Sequence, residues 1–228
     1  MANHLSEEEQ IEAFKQWWVD NGLKLVAAAV IAIGGTLGWQ GWQNSQQQYA
    51  EEGSAIYSAM IDIVSTESDQ PLSDEQQQQI TASADQLKEQ FGDSGYAHLS
   101  ALLKAKLAVD ADNLDQAATE LQWVLNNDPA DDLMLLATLR LARVEAARGN
   151  TDKALAMLEE QDAGTMTSAY EEAKGDFHIS LGHYEAAYTS YQTAMDTEDT
   201  GNARQLSILR LKMSQAKPVE AAESQGDS

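Results

Sequence analysis

The sequence predicts an all-α fold, a single membrane-spanning helix near the amino terminus followed by a stack of paired helices. Three observations lead there. Only three prolines and 14 glycines occur in 228 residues, and Ala, Gln, Glu and Leu are abundant, which favours helix over sheet. Residues 25–50 carry no formal charge, whereas residues 1–24 carry -3 and residues 51–228 carry -20 of the net -23. Beyond residue 95, a pattern of small residues and turns recurs at intervals of 37 and 33 residues.

The uncharged stretch sets the first element. Between Leu23 and Trp42 stand seven Leu, Ile or Val, four Ala, four Gly and two Trp. On an insertion scale the branched aliphatics contribute roughly -2 to -4 kcal/mol, sufficient for a span. Trp17 and Trp18 precede it and Trp39 and Trp42 close it. In a helix Trp18 and Trp39 are separated by ~31 Å, about the hydrocarbon thickness of a bilayer, so these tryptophans are expected as interfacial anchors. Lys15 and Lys24 precede the span, and the next basic residue is Lys88. By the positive-inside rule the amino terminus stays in the cytoplasm and the bulk of the chain crosses. A cleaved signal peptide fits poorly, because four glutamates precede the apolar run. A buried core helix would not collect tryptophan pairs at both ends. Gly34 and Gly38 form a small-xxx-small pair suited to contact with another membrane helix. The expected divisions are a cytoplasmic segment 1–21, a transmembrane helix 22–43, a helical-repeat domain 44–216 and a disordered acidic tail 217–228.

Residues 44–64 read as a helix continuing outward, residues 66–73 with Pro71 as a break, and residues 74–91 as a second helix. A further break at 92–95 opens the repeats. The first unit has Ala105, the turn Asp112-Asn113-Leu114, then Ala117 and Leu121, and ends at Pro129. The second has Ala142, the turn Gly149-Asn150, then Ala154 and Leu158. The third has Gly175, the turn Gly182-His183-Tyr184, then Ala187 and Tyr191. Each alanine after the turn lies 12 residues beyond its small partner. Small side chains where two antiparallel helices cross let the axes approach, and the larger residue one turn later fills the space beside the next pair. A last helix, 202–215, caps the stack with Leu206, Leu209 and Met213 on one stripe.

Composition excludes several functions. A charge of -23 rules out generic nucleic-acid binding, which draws affinity from basic side chains. Without cysteine there is no disulfide, zinc-thiolate site or thiol nucleophile. Gly92-Asp93-Ser94-Gly95 has the letters of a serine-protease nucleophile loop but sits among helices. Asp110, Asp112 and Asp115 begin like a calcium loop that lacks its Gly and closing Glu. His178 and His183 are five apart, off the spacing that aligns two ligands on a helix. No catalytic, cofactor-binding or metal-ligating residues are expected, and the chain reads as non-enzymatic.

The 12-residue small-to-Ala spacing, with Pro129 at the end of a unit, resembles the tetratricopeptide repeat, although the first helices lack that family's Trp. Across the whole chain, further stretches carry a second likeness. Gln10-Ile11-Glu12-Ala13-Phe14-Lys15 with Trp17, Trp18 and Asn21-Gly22 precedes the span, Gly38-Trp39-Gln40-Gly41-Trp42 ends it, and Leu139-Arg140-Leu141-Ala142-Arg143-Val144 lies in the repeats. With these the chain resembles the ancillary SecYEG translocon subunit family, also called the YfgM family. That resemblance implies a single-pass protein of the bacterial inner membrane with periplasmic repeats. It further implies association with the SecYEG translocon and the periplasmic chaperone PpiD, and passage of unfolded secreted proteins from channel to chaperones. In a tetratricopeptide register the partner groove would comprise Leu102, Lys106, Leu139, Arg143, Glu172 and Asp176. Two other readings stay open: an envelope scaffold that touches no client, and a regulator acting through the cytoplasmic segment.

Overall fold

The computed structural model describes residues 7–66, 72–199 and 201–217. Among them the chain forms helices and no strand: α1 (Glu7–Thr66), α2 (Asp74–Gln90), α3 (Gly95–Asp110), α4 (Leu114–Leu125), α5 (Asp131–Ala147), α6 (Thr151–Glu159), α7 (Thr167–Ser180), α8 (Tyr184–Thr197) and α9 (Ala203–Gln215). A 3-10 turn, Gly164–Met166, leads into α7. Two compact units divide between Glu52 and Gly53. Pro71 and the acidic tail from residue 218 onward lie outside the described residues, as do residues 1–6.

In the first unit α1 runs without interruption, so the expected limits at 21/22 and 43/44 fall inside continuous helix. Its apolar side chains point outward: Val19, Leu23 and Ile31 are 80%, 84% and 74% exposed. One window of this helix reaches a mean hydropathy of 1.6, long and apolar enough to cross a membrane. Trp17, Trp18, Trp39 and Trp42 are all exposed. Phe14 stacks on Trp17 and Trp18, with ring centroids 6.2 and 6.3 Å away, and Trp39 lies 5.1 Å from Trp42. Gly34 and Gly38 have nothing within 4 Å of where a Cβ would stand, so that face is open.

In the second unit the last turns of α1 pack on α2 through Met60, Ile80 and Ala84. The second helix begins at a capping box, in which Ser73 N donates to Gln76 Oε1 (2.8 Å) and Gln76 N donates to Ser73 Oγ (3.3 Å). It ends one residue before the expected Phe91, which is the buried C-cap.

Three helix pairs follow, α3/α4, α5/α6 and α7/α8, with α9 on the last. The small residues lie at the crossings as the spacing predicts: Ala117, Ala142, Ala154 and Ala187 are fully buried and Ala105 nearly so. Leu121, Leu158 and Tyr191 are at most 2% exposed and fill the space one turn on. At the third crossing even a methyl group is too much, since a Cβ on Gly175 would stand 2.4 Å from Tyr191 Cε1.

The turn inside each pair repeats one backbone device. Asp112, Gly149 and Gly182 carry φ of 57°, 87° and 78°. In each case the next residue donates its N–H to a carbonyl five back: Asn113 to Ala108 (2.8 Å), Asn150 to Glu145 (2.9 Å) and His183 to His178 (2.8 Å). This is the left-handed close of a helix, which glycine adopts without strain and aspartate tolerates. The 37- and 33-residue intervals are therefore intervals between identical turns.

At the second turn a buried carboxylate adds to the closure. Glu145, whose side chain is 4% exposed, accepts from Arg148 Nη1 (2.9 Å), Asn150 Nδ2 (2.7 Å) and Lys153 Nζ (3.0 Å). Asn150 gives up the side-chain cap of α6 to make this bond. Burial alone would raise the Glu145 pKa; the bonds from Asn150 and Lys153 and the charges of Lys153 and Arg148 outweigh it and hold the carboxyl below its ordinary value.

Two expectations follow. Gly175→Ala gains helix propensity of up to ~1 kcal/mol but overpacks against Tyr191, and we expect a net loss of about 1–2 kcal/mol, read as a thermal midpoint lowered by roughly 2–6 °C. An unchanged midpoint in calorimetry contradicts the crowding. For Glu145, a depressed folded pKa contributes stability that is present above the unfolded value of 4.5 and is lost as pH falls through the folded one. Denaturant titrations should therefore show the parent protein more stable than Glu145→Gln at pH 7, with the gap closing below about pH 4. A gap independent of pH would mean that the charge is not what Glu145 supplies.

Candidate functional site

The residues expected to form a groove fall into three situations. Leu102 and Leu139 are 4% and 3% exposed and belong to the hydrophobic clusters of α3/α4/α5 and α5/α6/α7. They build the stack and are not presented to a partner. Glu172 and Asp176 on α7 are taken by the cap: Lys212 Nζ of α9 lies 2.7 Å from Glu172 Oε1 and 2.7 Å from Asp176 Oδ2. Gln205 Nε2 also donates to Glu172 (2.8 Å), and Tyr191 OH to Asp176 (2.7 Å). Partial burial would lower the Lys212 pKa, yet its bonds to Asp176 and Glu172 outweigh that and raise it. The third-unit end of the expected groove is thus a docking point for the terminal helix.

Lys106 and Arg143 behave differently. Both are exposed and line one cavity of about 380 Å³ between α3, the start of α4 and α5. Arg140, one turn from Arg143, joins them at its mouth. The floor is apolar, with Leu121 buried beneath and Val109 43% exposed at the rim. Lys106 is paired within its own helix to Asp110 at 2.6 Å. Arg140 and Arg143 have no ion-pair partner among the described residues. Arg140 is partly desolvated where it lines the cavity, and this together with the like charge of Arg143 lowers its pKa. Of the six residues expected to form a groove, Lys106 and Arg143 are the two that line this cavity, together with Arg140. Leu139-Arg140-Leu141-Ala142-Arg143 held the signal, since a helix brings residues three apart together, but only the fold shows that no carboxylate among the described residues forms an ion pair with them.

The other sequence fragments resolve as structure. Ser94 of Gly92-Asp93-Ser94-Gly95 caps α3 by accepting from Ala97 N (3.3 Å). Asp110 pairs with Lys106 and Asp115 with Arg148 Nη2 (2.6 Å), while Asp112 is the left-handed turn residue. No group of three or more metal-ligating side chains comes together among the described residues. The His178 and His183 rings lie 5.9 Å apart, and His178 Nδ1 is buried without a hydrogen-bond partner. Burial, before the nearby His183, lowers the His178 pKa, so this ring is neutral at pH 7. A buried ionic cluster escaped the sequence reading: Lys104 Nζ bridges Asp85 (2.6 Å) and Glu120 (2.8 Å), and Glu120 also holds Lys88 (2.7 Å). It ties α2, α3 and α4 together, with Lys104 and Glu120 buried and Asp85 half exposed at its edge.

Against known proteins, the family of tetratricopeptide repeat-like domains matches residues 15–217. The ancillary SecYEG translocon subunit of Haemophilus influenzae is 26% identical over 213 residues, which cover 93% of this chain and 98% of that protein. The protein of the same name from Aggregatibacter actinomycetemcomitans is 31% identical over 196 residues, 86% of this chain and 92% of its own length. That of Escherichia coli is 25% identical over 195 residues, 86% and 90% respectively. No solved structure matches the chain significantly. With a repeat-like domain matched over most of its length, and relatives of one name aligned nearly end to end, the chain belongs to the ancillary SecYEG translocon subunit family.

Proposed function

We propose that this chain is a membrane-tethered, non-enzymatic interaction module of the SecYEG translocon, which holds segments of secreted polypeptides through its repeats and passes them to periplasmic chaperones. The observation that carries this reading is that relatives named for the translocon align with 86 to 93% of the chain, anchor and repeats alike. The exposed apolar face of α1 supports the anchor, because so much contiguous hydrocarbon in water has no counterpart in a soluble monomer. Lys15 and Lys24 support an orientation with the amino terminus in the cytoplasm of a Gram-negative cell and the repeats in the periplasm. Tethering beside an exit channel supplies the mechanism. A weak repeat surface held on a short leash meets emerging chain at an effective concentration far above that of a free protein. No nucleotide, metal or covalent step is needed, and PpiD is the chaperone that the family resemblance implies.

Two experiments test this reading. The chain has no cysteine, so Ala55→Cys provides a single thiol at an exposed position of α1. An impermeant maleimide should label it in intact spheroplasts; labelling that appears only after lysis reverses the orientation. Affinity purification from membranes in mild detergent should recover the SecYEG subunits together with PpiD. Consistent absence of the translocon would overturn the proposed function, and recovery of the translocon without PpiD would remove the chaperone transfer from it.

A further inference from the structure

The cavity between α3 and α5 combines features found together nowhere else in the repeats described above. Residues 51–228 hold 12 basic and 32 acidic residues, so a cation in this domain ordinarily finds a carboxylate. Seven of the 12 do: Lys88, Lys104, Lys106, Arg148, Lys153, Lys174 and Lys212. Among the described residues Arg140, Arg143, Arg204, Arg210 and Lys217 have no ion-pair partner, and of these only Arg140 and Arg143 line a common cavity, three residues apart on one helix and repelling one another. Two like charges held side by side over an apolar floor are unfavourable in the free protein. A ligand that brings negative charge relieves the repulsion, and guanidinium groups engage carboxylates in two-pronged hydrogen bonds stronger than neutral ones. The floor adds a second requirement. Leu121 closes the bottom, and Val109 and Leu114 offer apolar rim around a space of about 380 Å³, room for one or two large side chains.

We infer that this cavity receives a segment of a partner polypeptide in which Glu or Asp stands beside Leu, Ile or Phe, the carboxylate meeting Arg140 and Arg143 and the apolar side chain entering between α3 and α5. The inference rests on the proposed reading of the repeats as a polypeptide-binding module and gives that module a preference. Charge complementarity selects the occupant: the domain's net negative charge disfavours an acidic segment over most of its surface, whereas the arginine pair attracts one. Purely apolar or basic segments gain nothing from the arginine pair.

Binding is read by fluorescence anisotropy on purified full-length protein in nanodiscs, with a fluorescein-labelled peptide of alternating leucine and glutamate. Comparison peptides replace glutamate by glutamine or leucine by serine. We expect the acidic-apolar peptide to bind about tenfold more tightly than either, because the glutamine peptide loses the charge-assisted bonds and the serine peptide loses the apolar contact. Arg140→Gln/Arg143→Gln should remove that preference. Arg204→Gln/Arg210→Gln, which changes net charge equally on the exposed face of α9, should keep it within about twofold. Val109→Glu, at an exposed rim position, should weaken the acidic-apolar peptide without lowering the thermal midpoint. Equal binding of all three peptides, no detectable binding, or equal losses in the two arginine doubles would each overturn the inference. Binding that appears only after removal of residues 218–228 would assign the cavity to this chain's own acidic terminus and likewise overturn it. These measurements do not involve the translocon, so their failure is distinct from failure to recover SecYEG with the protein.

Discussion

The stack depends first on how closely two antiparallel helices can approach. Ala105 with Ala117, Ala142 with Ala154 and Gly175 with Ala187 stand at equivalent crossings, and each alanine is buried. Bringing the axes together allows the next residue outward, Leu121, Leu158 or Tyr191, to reach across and be covered on all sides. Burying each such side chain stabilises the unit by about 1.5–3 kcal/mol, and none could be buried if the axes stood a methyl group further apart. The third crossing is the most demanding, because Tyr191 lies where a Cβ of Gly175 would be. Its hydroxyl then bonds Asp176, and Lys212 reaches the same carboxylate, so the position of the terminal helix is set by that close contact.

Charge is arranged around this scaffold in a consistent way. In a domain with so many carboxylates the few cations act as ties between helices: Lys88 and Lys104 hold Glu120 across α2, α3 and α4, and Lys212 holds Glu172 and Asp176 across α7 and α9. Burial alone would lower the Lys104 pKa, yet its bonds to Asp85 and Glu120 keep it above its ordinary value, so the ammonium remains charged well past neutral pH. Such a cluster adds little net stability over an apolar replacement, but losing one partner leaves a buried charge uncompensated. What it supplies is register, since α2 and α3 must both be correctly placed against α4 for Lys88 and Lys104 to reach one carboxylate.

How much of this was legible in the sequence depended on the range of the interaction. The turns were legible because Gly149 and Gly182 and the Asp112-Asn113 pair are local signals, and the structure gives all three the same left-handed backbone. Crossings were legible because a fixed 12-residue spacing survives any choice of side-chain conformer. The groove was only partly so. Leu102 and Leu139 stand one turn before Lys106 and Arg143 on the same helices, yet burial separates them, and burial depends on the neighbouring pair. Glu172 and Asp176 looked open because their partner, Lys212, lies 40 and 36 residues away in sequence. No periodicity reports a pairing over that distance. The absence of a partner for Arg140 and Arg143 is less legible still, since it is a property of everything that surrounds them.

The two units meet opposite solvent requirements within one chain. In α1 the exposed large apolar residues run from Ile11 to Tyr49, whereas from residue 53 to 217 only Val109, Tyr184, Ile208 and Leu211 are comparably exposed among the described residues. Residues 25–50 hold six branched aliphatics and no charge, a composition suited to hydrocarbon. The -20 of residues 51–228 is tolerable only where water and counterions screen it. The first unit is thus long and apolar enough to cross a membrane, whereas the second carries a surface suited to water. Within the acidic unit Arg140 and Arg143 differ from the other cations without an ion pair among the described residues in lining one cavity over an apolar floor, and a partner of opposite charge gains most there.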